Sequence, residues 1–256
     1  MSLTLANPTL GYLGYATVNN NQVLVTGGNV DFGQTPVFDE MVYCPDTGNC
    51  ARVKHSEGVR SPQGTVSFEL ADADGDGLTT LIDPSNRGTE FPIVMGSGVR
   101  AAYMSACKAS SISVQGEPGG LISGSLSFMS SVVPSFGDYT PGAYVDLDPV
   151  PYWSSGAEGL VGWSVTVSQG VQPVFGNNTS DVPLYLRVGV SSVALEARFL
   201  ADATPSSTIN IGTGNKTITL MEETGRGYQY PADTDLPVFS YTYESYAVTA
   251  DGSQMS

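Results

Sequence analysis

Residues 72–83 read Asp-Ala-Asp-Gly-Asp-Gly-Leu-Thr-Thr-Leu-Ile-Asp, with acidic side chains at positions 1, 3, 5 and 12 of the run and Gly at position 6. A hard cation such as Ca2+ needs several oxygens brought round a sharp turn, and Asp72, Asp74, Asp76 and Asp83 are spaced to supply them. Two features depart from that pattern. Asp83 is shorter than the bidentate Glu that usually closes such a loop, and the flanks read as a strand and Pro84 in place of two helices. The same residues also read as a polar strand-to-helix turn, with Asp76 capping a short helix that Pro84 stops.

Cys44 and Cys50 flank Pro45-Asp46-Thr47-Gly48-Asn49, the composition of a hairpin tip. Across such a tip two thiols can come within disulfide reach, whereas a reducing compartment keeps them free. His55 is near in sequence, but the spacing and ligand number are wrong for zinc. Cys107 lies in an apolar alternating segment and reads as a small buried residue.

Catalysis finds little support. The single histidine, His55, has no acid or nucleophile partner in its pattern, and Gly-Xaa-Ser-Xaa-Gly does not occur. Gly212-Thr213-Gly214-Asn215-Lys216-Thr217 lacks the glycine spacing of a phosphate loop, and Lys216-Thr217 reads as the start of a strand. Glu222 and Glu223 are adjacent and would point to opposite strand faces, so they make no acid pair. The expectation is a protein that is not an enzyme and holds no cofactor unless the aspartate loop takes calcium.

The elements that must position these residues are strands. Apolar and polar residues alternate over 22–32, 64–70, 99–106, 110–114 and 121–129, and again over 160–167, 184–190, 193–200, 217–221 and 238–248. Tyr241 and Tyr243 fall on one strand face. Only 76–83 suits a helix. The expected fold is all-β: two tandem antiparallel sandwich or barrel domains, each with at most one short helix.

Composition agrees. Hydrophobic residues make up 41% and charged residues only 14%, while 30 Gly and 16 Pro punctuate apolar runs without a period, which argues for a folded, turn-rich chain and against disorder. The net charge is −15, divided as −6 over residues 1–134 and −9 over 135–256, so neither part can attract a polyphosphate backbone by its overall field. No apolar run approaches a membrane span and the first residues lack a signal-peptide pattern, which points to synthesis in the cytoplasm.

The second half also echoes the first. Gln34-Thr35-Pro36-Val37-Phe38 is matched by Val171-Gln172-Pro173-Val174-Phe175, and Glu69-Leu70-Ala71-Asp72-Ala73 by Phe199-Leu200-Ala201-Asp202-Ala203. The offsets, 137 and 130, agree apart from one loop seven residues longer in the first half. Two domains follow, 1–134 and 135–256, with the Pro- and Gly-bearing stretch 133–142 as a short linker.

The order of these features resembles the tail tube proteins of long-tailed, siphovirus-like bacteriophages, once per half. The features are a strand such as Trp163-Ser164-Val165-Thr166-Val167-Ser168, a Pro-Val-Phe element, a long loop, a strand ending near Leu-Ala-Asp, a short helical turn, and a closing strand such as Ile122-Ser123-Gly124-Ser125-Leu126-Ser127-Phe128. The resemblance implies a structural virion protein that self-assembles into stacked rings, with about three tandem chains making a pseudo-sixfold ring. Sheet edges would pair around a lumen, and the assembled tail tube would conduct the genome during DNA ejection without binding it specifically, the acidic charge repelling the polyanion. Implied partners are further copies of the chain, the tape-measure protein and other tail proteins, with assembly in the host cytoplasm, residence in the virion tail and no membrane contact. The family's inter-ring hairpin corresponds to the loop 39–61, which carries Cys44, Pro45, Asp46, Cys50, Arg52, Lys54, His55 and Arg60. Basic arms on an acidic subunit suit docking.

Two other readings remain open. One is a calcium-dependent β-sandwich adhesion or carbohydrate-binding module, using the aspartate loop and an aromatic platform of Trp153, Trp163 and tyrosines. The other is a capsid decoration or distal tail protein.

Overall fold

Alternating short segments bounded by Gly, Pro and Asn leave the backbone one economical way to satisfy its polar groups, which is pairing between strands. In the computed structural model this is what the chain does. The structure describes residues 14–31, 33, 42–43, 51–52, 59–69, 88–97, 100–117, 120–138, 159–176, 181–200, 208–211, 216–219, 222–229 and 238–245, and all regular structure among them is strand. In chain order these are β1 (Gly14–Val18), β2 (Asn21–Asp31), β3 (Val42–Tyr43), β4 (Ala51–Arg52), β5 (Gln63–Glu69), β6 (Phe91–Ser97), β7 (Arg100–Gly116), β8 (Ser123–Ser130), β9 (Ser135–Asp138), β10 (Leu160–Val174), β11 (Tyr185–Leu200), β12 (Thr208–Ile211), β13 (Lys216–Thr219), β14 (Glu222–Gln229) and β15 (Val238–Ser245). The protein is all-β. The expected helix at 76–83 lies outside the described residues.

One 11-stranded antiparallel sheet holds every strand except the small hairpins β3–β4 and β12–β13. Its first part closes on itself: β7, β6, β1, β2, β5 and β8 pair in turn, and β8 pairs back onto β7. Cys107 of β7 faces Phe91 of β6 and Ser130 of β8, so those strands flank it on opposite sides and the ring of pairings is a barrel. Closure removes edges that would otherwise be exposed. The β1–β2 hairpin turns through Asn19 and Asn20, both at positive φ (51° and 64°), a conformation that Asn tolerates and that matches the twist of a tight hairpin.

β7 then does a second job. Its last six residues pair with β10, which continues into β11, β15 and β14. The sheet therefore runs unbroken past position 134. The expected linker contributes β9, whose four residues pair with Arg100–Tyr103 of β7.

The expected strands 99–106 and 110–114 form a single 17-residue strand, and 184–190 with 193–200 form one of 16 residues. Bulges explain the apparent breaks. β7 has one extra residue between Met104 and Cys107 opposite β6, and another between Ala109 and Ser111 opposite β8. Each shifts the inward parity, so buried positions run Ala102, Met104, then Cys107, Ala109, then Ile112, Val114. Periodicity read from sequence loses phase at such steps.

The core is one cluster fed by both halves: Phe68, Phe128, Ile93 and Leu126 in the barrel, and Trp163, Val165, Leu195 and Phe199 beyond it. Two reciprocal pairs fill the barrel, with Phe128 facing Gly64 and Phe68 facing Gly124 across β5 and β8. A Cβ at Gly124 would lie 2.6 Å from the Phe68 ring, so the glycines make room for the rings.

Candidate functional site: a hydroxyl face across both halves

While the inward positions are apolar, the opposite face of β5, β8, β7, β10 and β11 carries small hydroxyl side chains in register. One row reads Thr65, Ser127, Ser111, Ser168 and Ser192 from strand to strand. The next reads Ser67, Ser125, Ser113, Thr166 and Ala194, continuing to Glu244 on β15. A third reads Glu69, Ser123, Gln115, Ser164, Glu196 and Thr242. Hydrogen bonds knit the rows, from Thr166 Oγ1 to Ser113 Oγ and from Gln115 Nε2 to Ser123 Oγ, each at 3.4 Å. Asn29 Oδ1 accepts from the Thr65 amide at 3.0 Å and from its hydroxyl at 2.7 Å. No Lys or Arg stands in these three rows, and Glu69, Glu196 and Glu244 lie at their margins. Chemically this is a short, hydrated, uncharged surface with an acidic rim. It offers no cation to a phosphate backbone.

At the end of that face a shallow cleft of about 280 Å³ is lined by Gln115, Glu117, Trp163, Ser164, Glu196 and Arg198. Gly162 leaves room for the Arg198 side chain in its wall: a Cβ there would lie 2.6 Å from Arg198 Nη2. The guanidinium instead lies over β10 and donates to Glu117 Oε1 at 2.7 Å, which offsets its charge beside the face; Lys108 stands just beyond the first row, opposite Met129, with its Nζ 4.0 Å from Glu90 Oε1. Both partners are well exposed, so the pair is worth a few tenths of a kcal/mol to about 1 kcal/mol. Trp163 forms the cleft wall from the core side and is only 3% exposed, with its ring against the Gly116 position. That burial agrees with a core residue and takes Trp163 out of any exposed aromatic platform.

The sequence-derived candidates fall as follows. Asp72, Asp74, Asp76 and Asp83 lie outside the described residues, as do Cys44, Pro45, Asp46, Cys50, Lys54, His55 and Trp153. Among the described residues no group of three or more His, Cys, Asp or Glu is placed to hold a metal, and no helix is long and apolar enough to cross a membrane. Arg52 sits in β4 opposite Val42. Arg60 is engaged within its own chain: its amide donates to the Asp181 carbonyl at 2.6 Å and its Nε meets Asp181 Oδ2 at 2.7 Å. With Lys108 Nζ donating to the Leu186 carbonyl at 3.0 Å, this ties the far end of the β10–β11 hairpin to the barrel.

Cys107 is buried, and its thiol is pushed up to about 12, first by loss of hydration and in lesser measure by the Glu90 charge, against a hydrogen bond from Ser130. It is no nucleophile. The hydroxyl rows were missed in sequence because Ser and Thr served there only as the polar half of each alternation. The signal was Ser-Xaa-Ser or Thr-Xaa-Ser recurring in strand after strand.

No protein-family model matches the sequence, and no curated protein is significantly similar to it.

Proposed function

We propose that this chain is a non-enzymatic structural protein that assembles with copies of itself into a hollow tube, of the kind found in the tails of long-tailed bacteriophages, through which DNA passes without specific binding. The observation that carries the reading is the hydroxyl face, continuous over five strands of both halves, with no Lys or Arg in its three rows and with Glu69, Glu196 and Glu244 among their outer positions. A conduit wall for a polyanion needs short side chains that stay hydrated and no positive charge to hold a phosphate. The net charge of −15 and the tail-tube resemblance support the same reading. In it, residues 1–134 and 135–256 are tandem domains, about three chains form a ring, and rings stack through heterologous contacts. Residence is the virion tail, after assembly in the host cytoplasm with the tape-measure protein.

The test is electron microscopy and light scattering of the purified protein over a concentration series. Stacked hollow rings are the expected product, and subunit counting gives the chains per ring. Replacing Ser113, Ser125 and Thr166 by Lys should leave the fold intact but make the assembled protein retain duplex DNA, with a salt dependence steepening by about 0.9 log units per phosphate contacted. An assembled lysine variant that releases DNA as freely as the parent would defeat the conduit assignment of this face.

A further inference from the structure

The two halves share a strand order and its irregularities. β2-β5-β8-β7 in the first half is matched by β10-β11-β15-β14 in the second. β2 carries one extra residue between Val25 and Gly27, opposite Phe68 and Ser67; β10 carries one between Leu160 and Gly162, opposite Phe199 and Arg198. β7 carries one between Ala109 and Ser111, opposite Phe128 and Ser127; β14 carries one between Glu223 and Gly225, opposite Tyr243 and Thr242. Following the ladders from bulge to bulge makes Val165 equivalent to Val30 and Val114 equivalent to Tyr228. Likewise Ser164 corresponds to Asn29 and Gln115 to Gln229.

Inside one chain these four-stranded units meet where β7 pairs with β10, putting Gln115 opposite Ser164 and Val114 opposite Val165. Val114 and Val165 are buried there, at 3% and 1% exposure. Of the equivalent positions at the outer ends, Val30 is partly buried against the core and Tyr228 is open. Tyr228 is 57% exposed although it faces the core side, tilted against Phe239 at 4.9 Å, and Arg226 lies over the Tyr241 ring at 5.0 Å. Among the described residues nothing pairs with the outer edge of β14. On β2, β1 occupies only residues 21–23, so the edge of 28–31 away from β5 is likewise open among them.

We infer that β14 of one copy pairs antiparallel with β2 of a second copy, in the register of the internal junction: Gln229 opposite Asn29, Tyr228 opposite Val30 and Gly227 opposite Asp31. The second copy's Val30 then covers the Tyr228 ring as Val165 covers Val114. The contact joins different strands on the two copies, so it is heterologous and propagates. It rests on the self-assembly reading above, but not on what the assembly carries.

The experiment uses full-length protein with Cys44→Ser and Cys50→Ser, retaining the buried Cys107. To this are added Asn29→Cys and Gln229→Cys, whose Cβ atoms would stand about 4.5–5.5 Å apart across the ladder, close enough for a disulfide with slight adjustment. Mild oxidation should give a ladder of covalent oligomers on a non-reducing gel, and the pair Asp31→Cys with Gln229→Cys, two residues out of register, should not. Tyr228→Lys should lose assembly while keeping the strand circular dichroism of the parent. Assembly by light scattering without an in-register ladder, or equal ladders from both pairs, overturns the edge assignment alone. A folded parent that never assembles overturns this inference and the self-assembly reading together.

Discussion

Replacing Trp163 by Ala separates a seam residue from a ligand platform. The indole is 3% exposed, belongs to the shared core and lies where a Cβ at Gly116 would sit 3.0 Å from its ring. An aromatic side chain buries roughly 150–250 Å². At about 25 cal/mol per Å² this is roughly 4–6 kcal/mol as an upper figure. Measured truncations of buried Trp and Phe cost about 3–5 kcal/mol, because the cavity only partly collapses. We expect a loss of about 3–5 kcal/mol in urea denaturation, or a fall in Tm on the order of 6–20 °C for a chain of this size. Because β7 and β10 share the indole's surroundings, near- and far-ultraviolet circular dichroism should report the same shifted transition. A loss below about 1 kcal/mol would mean that Trp163 is not holding the seam, and the platform reading would return.

Two further outcomes follow from the same packing. Gly124→Ala puts a Cβ 2.4 Å from the Ser113 carbonyl oxygen and should cost toward the top of the roughly 1–3 kcal/mol range for overpacking. Gly27→Ala meets nothing within 4 Å and should be neutral or slightly stabilising, so equal urea midpoints for the two would refute the packing argument. Cys107 should resist iodoacetamide in the native protein and react once unfolded. Its folded value of about 12 exceeds the ordinary 9.0, so its stability contribution is full below pH 9 and lost as pH rises to 12, by at most about 1.4 kcal/mol per pH unit. Denaturation of parent and Cys107→Ala at pH 8 and pH 10 reads that difference, and a parallel pH response in both would contradict it.

The all-β class was legible because alternation and turn residues are local signals, and β2, β5, β8 and β15 fall close to the alternating segments, while β10 runs on from the expected 160–167 to Val174. Bulges were not legible. At Ser110, and between Val188 and Ser191, the chain spends one residue more than the strand it faces, which shifts the inward parity and splits a strand in a period count. β6, Phe-Pro-Ile-Val-Met-Gly-Ser, was missed because Pro92 argues against a strand until its amide is seen to be dispensable near the strand start. β9 was hidden under the Pro and Gly of the expected linker. The matching Leu-Ala-Asp segments also mislead by one residue, since Glu69 faces outward and Phe199 inward, so ladder position and not sequence identity aligns the halves. The hydroxyl face was legible only in retrospect: each Ser is unremarkable on its own strand, and the rows exist only once the register is known.

The shared strand β7 also sets an order in time. Every residue of the barrel precedes position 131, so all six of its strands have been synthesised before β10 emerges, and the far half of β7 then stands as a formed edge for the next strand to join. Within the chain β11 then joins β10, whereas β14 is made before β15 and gains its place in the sheet only when β15 has paired with β11. Long-range pairing, which slows the folding of most β proteins, is thereby broken into shorter searches. From the barrel as far as β11, the chain adds edge onto waiting edge within one polypeptide.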